Sequence, residues 1–172
     1  QWNDMHIKAG ELVVLLGPVG GGKTSFLHSI LGELENSEFC VQSHGKCAYV
    51  PQLAWILNGS VRENIRLGAP ENLLQYQNAV AACALEEDLS QLPAGDETEV
   101  GEKGVTLSGG QRVRLAMARC AYADVTTYLF DDVFAALDVA VAEDIFSTLM
   151  CGVLRQKTRI LVTHSATLAL DQ

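Results

Sequence analysis

The sequence predicts an α/β fold around a mostly parallel sheet, and three observations carry that prediction. The apolar run Leu12-Val13-Val14-Leu15-Leu16 passes through the glycine-rich stretch Gly17-Pro18-Val19-Gly20-Gly21-Gly22-Lys23-Thr24 into Ser25-Phe26-Leu27-His28-Ser29-Ile30-Leu31, a strand, a loop and a helix in that order. Three further β-rich runs follow: Lys46-Cys47-Ala48-Tyr49-Val50, Thr126-Thr127-Tyr128-Leu129-Phe130 and Arg159-Ile160-Leu161-Val162. Between them lie segments with helical spacing of apolar residues. With 172 residues, 48% of them hydrophobic, the chain can bury one sizeable core, so a single domain over residues 1–172 is expected.

The loop before the first helix is chemically the most telling stretch. Glycines let the backbone fold tightly enough for its N–H groups to converge on a phosphate, and the following helix start adds free donors and a partial positive charge. Lys23 supplies a mobile charge for the outer phosphates, and the Thr24 hydroxyl is placed to ligate Mg²⁺. This chemistry predicts binding of a nucleoside triphosphate.

Composition narrows the remaining classes. A formal charge of −9 argues against sequence-independent binding to nucleic acid, which needs clustered Lys and Arg. The five cysteines (Cys40, Cys47, Cys83, Cys120 and Cys151) form no C-x-x-C pair and the histidines are scattered, so the expectation is reduced thiols in a cytosolic compartment, not zinc or a disulfide framework. No apolar stretch approaches the roughly 18 residues of a membrane span, and the amino terminus carries no signal-peptide pattern.

Each element can be justified in order. Ala9-Gly10-Glu11 reads as a turn feeding the first strand, and Trp2 before it reads as a half-buried strand residue, with a platform for a base as the alternative. Residues 32–45 are polar and turn-rich, and Pro51 ends the second strand. Ser60-Val61-Arg62-Glu63 has the form of a capping box opening a short helix. Pro70-Glu71 is expected to start a longer helix carrying Leu73, Leu74, Val80, Ala81 and Leu85. Residues 92–103 read as an acidic loop, and Ser108-Gly109-Gly110-Gln111 opens a helix with Leu115, Ala116 and Ala118. After the third strand and a turn at residues 135–138, helical spacing runs from Val139 to Met150, and the last strand ends in Thr163-His164.

Ligands in parallel α/β sheets sit outside the carboxyl ends of the strands, where Asp131 and Asp132 are delivered. Asp131 is placed to hold Mg²⁺ through water, and Asp132 to polarise an attacking water. His164 can contact the γ-phosphate side, and Gln52 is a candidate metal or water ligand; the bland alternatives are a structural histidine and a loop amide.

Together these positions resemble the nucleotide-binding domain of an ATP-binding-cassette transporter over nearly the whole chain. They are similar to the Walker A loop (residues 17–24), the glutamine loop (Gln52), the signature Leu107-Ser108-Gly109-Gly110-Gln111, the Walker B strand ending at Asp131, and the switch histidine His164. The wording Tyr-Val-Pro-Gln-Leu-Ala-Trp-Ile, Val-Arg-Glu-Asn-Ile and Leu-Phe-Asp-Asp looks like the first such domain of C-subfamily, multidrug-resistance-associated exporters.

The resemblance implies a P-loop NTPase core with an inserted helical, signature-bearing subdomain. It implies ATP bound by Gly17, Pro18, Val19, Gly20, Gly21, Gly22, Lys23, Thr24 and Ser25, and Mg²⁺ handled by Thr24, Gln52 and Asp131. Asp132, His164 and Gln52 are the expected catalytic group, and Ser108, Gly109, Gly110 and Gln111 are expected to act on a partner's nucleotide. The implied partners are a second nucleotide-binding domain, packed head to tail, and transmembrane domains, with this domain on the cytoplasmic side of a membrane. Departures from the family pattern are Asp132 for the usual Glu, Ala135 for the D-loop Ser and Val133 for Pro. The strand bearing the adenine-stacking aromatic is expected to lie before residue 1, making this a fragment of a longer polypeptide. Two other readings stay open: a soluble cassette ATPase acting on ribosomes or DNA, and a regulatory ATP clamp.

Overall fold

In a computed structural model of the chain, which describes residues 5–34, 42, 45–102 and 104–164, four of the β-rich runs pair side by side as parallel strands. Trp2, Cys40, Lys103 and most of the turn-rich stretch between residues 32 and 45 lie outside the described residues. The strands are β1 (Leu12–Leu16), β2 (Cys47–Val50), β5 (Thr127–Asp131) and β6 (Thr158–Thr163), in the spatial order β1-β6-β5-β2. Register is what matters for function. Leu16 pairs with Thr163, Val162 with Asp131, and Phe130 with Val50. The next residues along each strand therefore come out level at one edge, and they are Gly17, His164, Asp132 and Pro51-Gln52.

Both faces of this sheet are covered, as near-continuous apolar strands require. On one side Leu15, Leu129, Ile160 and Val162 pack with Leu27 of helix α1 (Lys23–Leu31). On the other, Val50, Tyr128, Phe130 and Leu161 join a larger core. That core includes residues of α2 (Val61–Arg66), α3 (Leu73–Ala82), α5 (Gly109–Tyr122) and α6 (Val139–Ile145). Alternation of side chains along β5 divides Leu129 from Tyr128 and Phe130 between the two layers.

The helical insertion follows the sequence in part. Ser60 and Glu63 form the expected capping box on α2, at 3.1 and 2.9 Å. The long helix expected from Pro70 instead starts at Leu73, capped by Asn72, and breaks at Ala84, whose φ of +50° is left-handed. A short α4 (Glu86–Gln91) follows the break. Buried Cys83 and Leu85 flank Ala84, so packing holds a conformation that local propensity disfavours. Leu73 and Leu74 are exposed, while Tyr76, Ala79 and Val80 supply the buried face. Within the expected loop at residues 92–103, β4 (Glu99–Val100) pairs antiparallel with β3 (Gly59–Ser60). Arg62 ties this corner together through Asp96 (2.8 Å), Glu97 (2.7 Å) and the ring of Tyr76 (4.9 Å).

After α6 the chain widens into a π-helix, Phe146–Val153. Among the described residues no helix is long and apolar enough to cross a membrane. The described cysteines Cys47, Cys83, Cys120 and Cys151 are free thiols, and burial pushes the Cys83 and Cys120 thiols up, keeping them neutral.

Candidate functional site

The glycine-rich loop is open where an anion would sit. Gly20 and Gly22 have φ of +78° and +81°, and a Cβ on either would meet nothing within 4 Å. Gly22 is the N-cap of α1 and provides no side-chain cap, so the first amides of this helix keep their orphan donors. By contrast Ser60, Asn72 and Ser108 cap α2, α3 and α5 from their own side chains. Lys23 lies across the loop, its Nζ donating to the carbonyls of Gly17 (2.7 Å) and Pro18 (2.8 Å). An exposed Thr24 and Ser25 complete the first turn.

At the carboxyl ends of β5 and β6 the two aspartates have different surroundings. Asp131 is 3% exposed, and its Oδ2 accepts one hydrogen bond, from the hydroxyl of Tyr49 at 3.1 Å. Asp132 has a left-handed φ of +50° and accepts from several donors. Its Oδ1 takes the Thr163 hydroxyl (3.0 Å) and the His164 N–H (3.4 Å). Its Oδ2 lies 2.7 Å from His164 Nδ1 and 3.5 Å from Gln52 Nε2, the latter at the long limit of a hydrogen bond. The structure thus brings Asp132, His164 and Gln52 together, three residues far apart in sequence.

Hard oxygen donors are what Mg²⁺ requires, and the Thr24 hydroxyl and Asp131 carboxylate are of that kind. No cluster of three or more His, Cys, Asp or Glu that could cage a metal occurs among the described residues. The chemistry of those two oxygen donors suits an ion that also takes phosphate oxygens.

The stretch Ser108 to Gln111 sits elsewhere, at the start of α5. Here the capping box engages Gln111 fully. Its Oε1 accepts from Ser108 N (2.9 Å) and its Nε2 donates to Asp88 Oδ1 (2.8 Å) on α4. The other Asp88 oxygen takes Arg114. Gln111 thus shapes the turn from within this chain, while the exposed Ser108 and Gly109 form its outer surface. Gly110 rests against the turn at residues 133–136: an added Cβ would lie 3.4 Å from Ala136 O and 3.5 Å from a Leu137 methyl.

Sequence reasoning missed two groups of residues. Thr163 and Tyr49, which hold the aspartates, read only as strand residues, because their partners are distant in the chain. Arg119 carries no local signal, and Trp55 figures in the sequence only as part of the wording Tyr-Val-Pro-Gln-Leu-Ala-Trp-Ile. Arg119 is 8% exposed with its guanidinium 3.8 Å over the Trp55 ring, donating to Asn64 O (2.7 Å), Asn64 Oδ1 (2.9 Å) and Trp55 O (3.3 Å). Burial lowers its pKa to about 10, so it remains charged at neutral pH, with no carboxylate partner among the described residues. This cluster joins the helix of Ser108–Gln111 to the loop of Gln52. Arg119→Leu is expected to lower stability by about 3 kcal/mol, since it orphans buried carbonyls and removes the stacked charge. Urea unfolding measures this; an unchanged midpoint at unchanged slope would show that the cluster adds nothing net.

Comparison with known proteins agrees with this geometry. Residues 3–135 match the family described as ABC transporter. The chain is 49% identical over 163 residues to ATP-binding cassette sub-family C member 3 of Rattus norvegicus, covering 94% of this chain and 11% of that protein. It is 46% identical over 164 residues to sub-family C member 2 of Homo sapiens, with the same coverage. It is 44% identical over 166 residues to multidrug resistance protein mrp-7 of Caenorhabditis elegans, covering 95% and 11%. The chain spans about a tenth of the length of these curated relatives. It belongs to the ABC transporter family, as an ATP-binding cassette of the sub-family C kind.

Proposed function

We propose that this chain is the ATP-binding and ATP-hydrolysing domain of a membrane exporter, working with a second nucleotide-binding domain, and that its own site hydrolyses weakly. The observation that carries the reading is the level edge of the sheet, where the open glycine loop, Asp131, Asp132, His164 and Gln52 all emerge. ATP phosphates would rest on the open amides of the glycine loop and of the first turn of α1, Pro18 having no N–H and Gly17 and Gly21 already donating to Thr163 O and Pro18 O, and Lys23 would exchange its loop carbonyls for the outer phosphates. Thr24, Asp131 and Gln52 would hold Mg²⁺, which when bound would neutralise charge on the phosphate oxygens. His164, steadied by Asp132, faces the γ-phosphate side.

Asp132 is a poor water activator here. Its oxygens already accept from Thr163, His164 and Gln52, and its side chain is one methylene shorter than Glu. Both features keep it from a water in line with the γ-phosphate, and a misplacement of about 1 Å can cost 10²-fold. Asp132→Glu in the assembled transporter, with the partner site disabled, is therefore expected to raise ATP turnover by more than tenfold. A flat or lower rate would show that Asp132 is not a displaced base.

The partner surfaces are read from exposure. Ser108, Gly109, Ala135, Ala136 and Asp138 are exposed, and Gly110 lies against Ala136 and Leu137, which supports a head-to-tail neighbour whose nucleotide meets the Gly109 and Gly110 amides. Leu53, Trp55 and Leu57 are exposed apolar residues following Gln52, and Leu57 also lines an open cleft with Arg66 and Leu67. They support contact with transmembrane domains, with this domain on the cytoplasmic side of the membrane. In this reading residues 1–172 are one nucleotide-binding domain within a longer polypeptide.

A further inference from the structure

The hydroxyl of Tyr49 holds Asp131, and it is itself held. Tyr49 lies on β2, beside β5, and its oxygen is 3.4 Å from Nε2 of His28 on α1, the two rings meeting edge to face at 5.7 Å. The other ring nitrogen of His28, Nδ1, is 3.0 Å from Glu33 Oε2, just beyond the end of α1. Four side chains, one each from α1, β2 and β5 and one from just beyond α1, thus form a line: Glu33, His28, Tyr49, Asp131.

Hydrogen-bond inventory sets the direction of this line. An ionised Asp131 can only accept, so Tyr49 donates to it. A tyrosine hydroxyl carries its proton at neutral pH, so Tyr49 has the proton it donates. The Tyr49 oxygen is then an acceptor, and His28 Nε2 faces it as a donor when both ring nitrogens carry hydrogen, the state in which Nδ1 also donates to Glu33. Asp131 differs sharply from Asp132 in this respect. Tyr49 supplies its hydrogen bond on Oδ2, while Oδ1 accepts nothing among the described residues.

We propose that Tyr49, braced by His28 and Glu33, is a positioning residue that selects which oxygen of Asp131 is offered to the nucleotide-bound metal. The proposal rests on the reading that Asp131 serves that metal. It ties the far end of the phosphate-loop helix to the metal carboxylate, adding a hydrogen-bonded line to the packing of Leu27 on Leu129 between α1 and β5. Partners behind a metal-holding carboxylate commonly affect metal affinity by 10–100-fold.

The test measures ATP affinity of the 172-residue chain in excess Mg²⁺ and in chelator, and takes the ratio as the gain due to metal. Asp131→Asn is the control for the underlying reading and should abolish the gain. Tyr49→Phe should reduce it roughly tenfold while affinity in chelator stays within about twofold. His28→Leu, on a half-buried helix position, should reduce it by a smaller factor of roughly threefold, and should add nothing in the Tyr49→Phe background. If Asp131→Asn keeps the gain, the metal role of Asp131 fails and the proposal falls with it. If Asp131→Asn loses the gain while Tyr49→Phe and His28→Leu keep it, the positioning line alone is overturned. Equal loss of affinity with and without Mg²⁺ in Tyr49→Phe would mean that Tyr49 supports the loop or the fold, which also overturns it. Should Tyr49→Phe fail to fold, His28→Leu decides alone: an unchanged gain refutes the line, and a reduced one upholds it.

Discussion

Lys23→Ala is expected to weaken ATP binding at least tenfold, and to do so without loss of the fold. The reason is the position of the ammonium. Lys23 Nζ lies across the glycine loop on the carbonyls of Gly17 and Pro18, and those neutral acceptors are weaker partners than a phosphate. A charge-assisted contact of this kind contributes well over 1.4 kcal/mol, the equivalent of a factor of ten. Lys23 is only half-buried, and the two loop hydrogen bonds it makes in the free chain are replaceable by water. Titration with ATP, paired with a thermal melt, separates the two effects. An affinity within twofold of the parent, with an unchanged melt, would overturn the assignment of residues 17–24 to phosphate.

Gly109→Asp is expected to lower ATP turnover of the assembled transporter by roughly a hundredfold while leaving ATP affinity of this chain nearly unchanged. Gly109 is exposed on the first turn of α5, and a Cβ there meets nothing within 4 Å. A carboxylate at that place would repel any phosphate brought by a neighbour. Withdrawing such a donor set from a developing anion costs on the order of 3 kcal/mol, hence the size of the effect. The substitution should not unfold the helix, because an acidic residue in a first turn is favoured by the helix dipole. Gly110→Asp is a less clean probe, since its side chain would crowd the carbonyl of Ala136 within the same chain. The decisive comparison is monomer affinity against assembled turnover. An equal loss in both would mean that Ser108–Gln111 serves this chain's own nucleotide, and the shared site would have to be abandoned.

What the sequence by itself determined was local. The strand, glycine loop and helix from Leu12 to Leu31 are set by neighbours within a few residues, as are the capping boxes at Ser60 and Ser108. The residues of the candidate site could be nominated for the same reason, because loop chemistry and strand ends are written in short words. Tertiary structure decided what those words do to each other. The register β1-β6-β5-β2 levels Gly17, His164, Asp132 and Gln52, though they are separated by most of the chain. It also distinguishes two adjacent aspartates, giving Asp131 to Tyr49 across 82 residues and Asp132 to Thr163 and His164. The break at Ala84, the pairing of β3 with β4 and the Arg119–Trp55 stack likewise have no local signal. Each depends on which surfaces the core brings into contact, a property of packing that no run of neighbouring residues encodes.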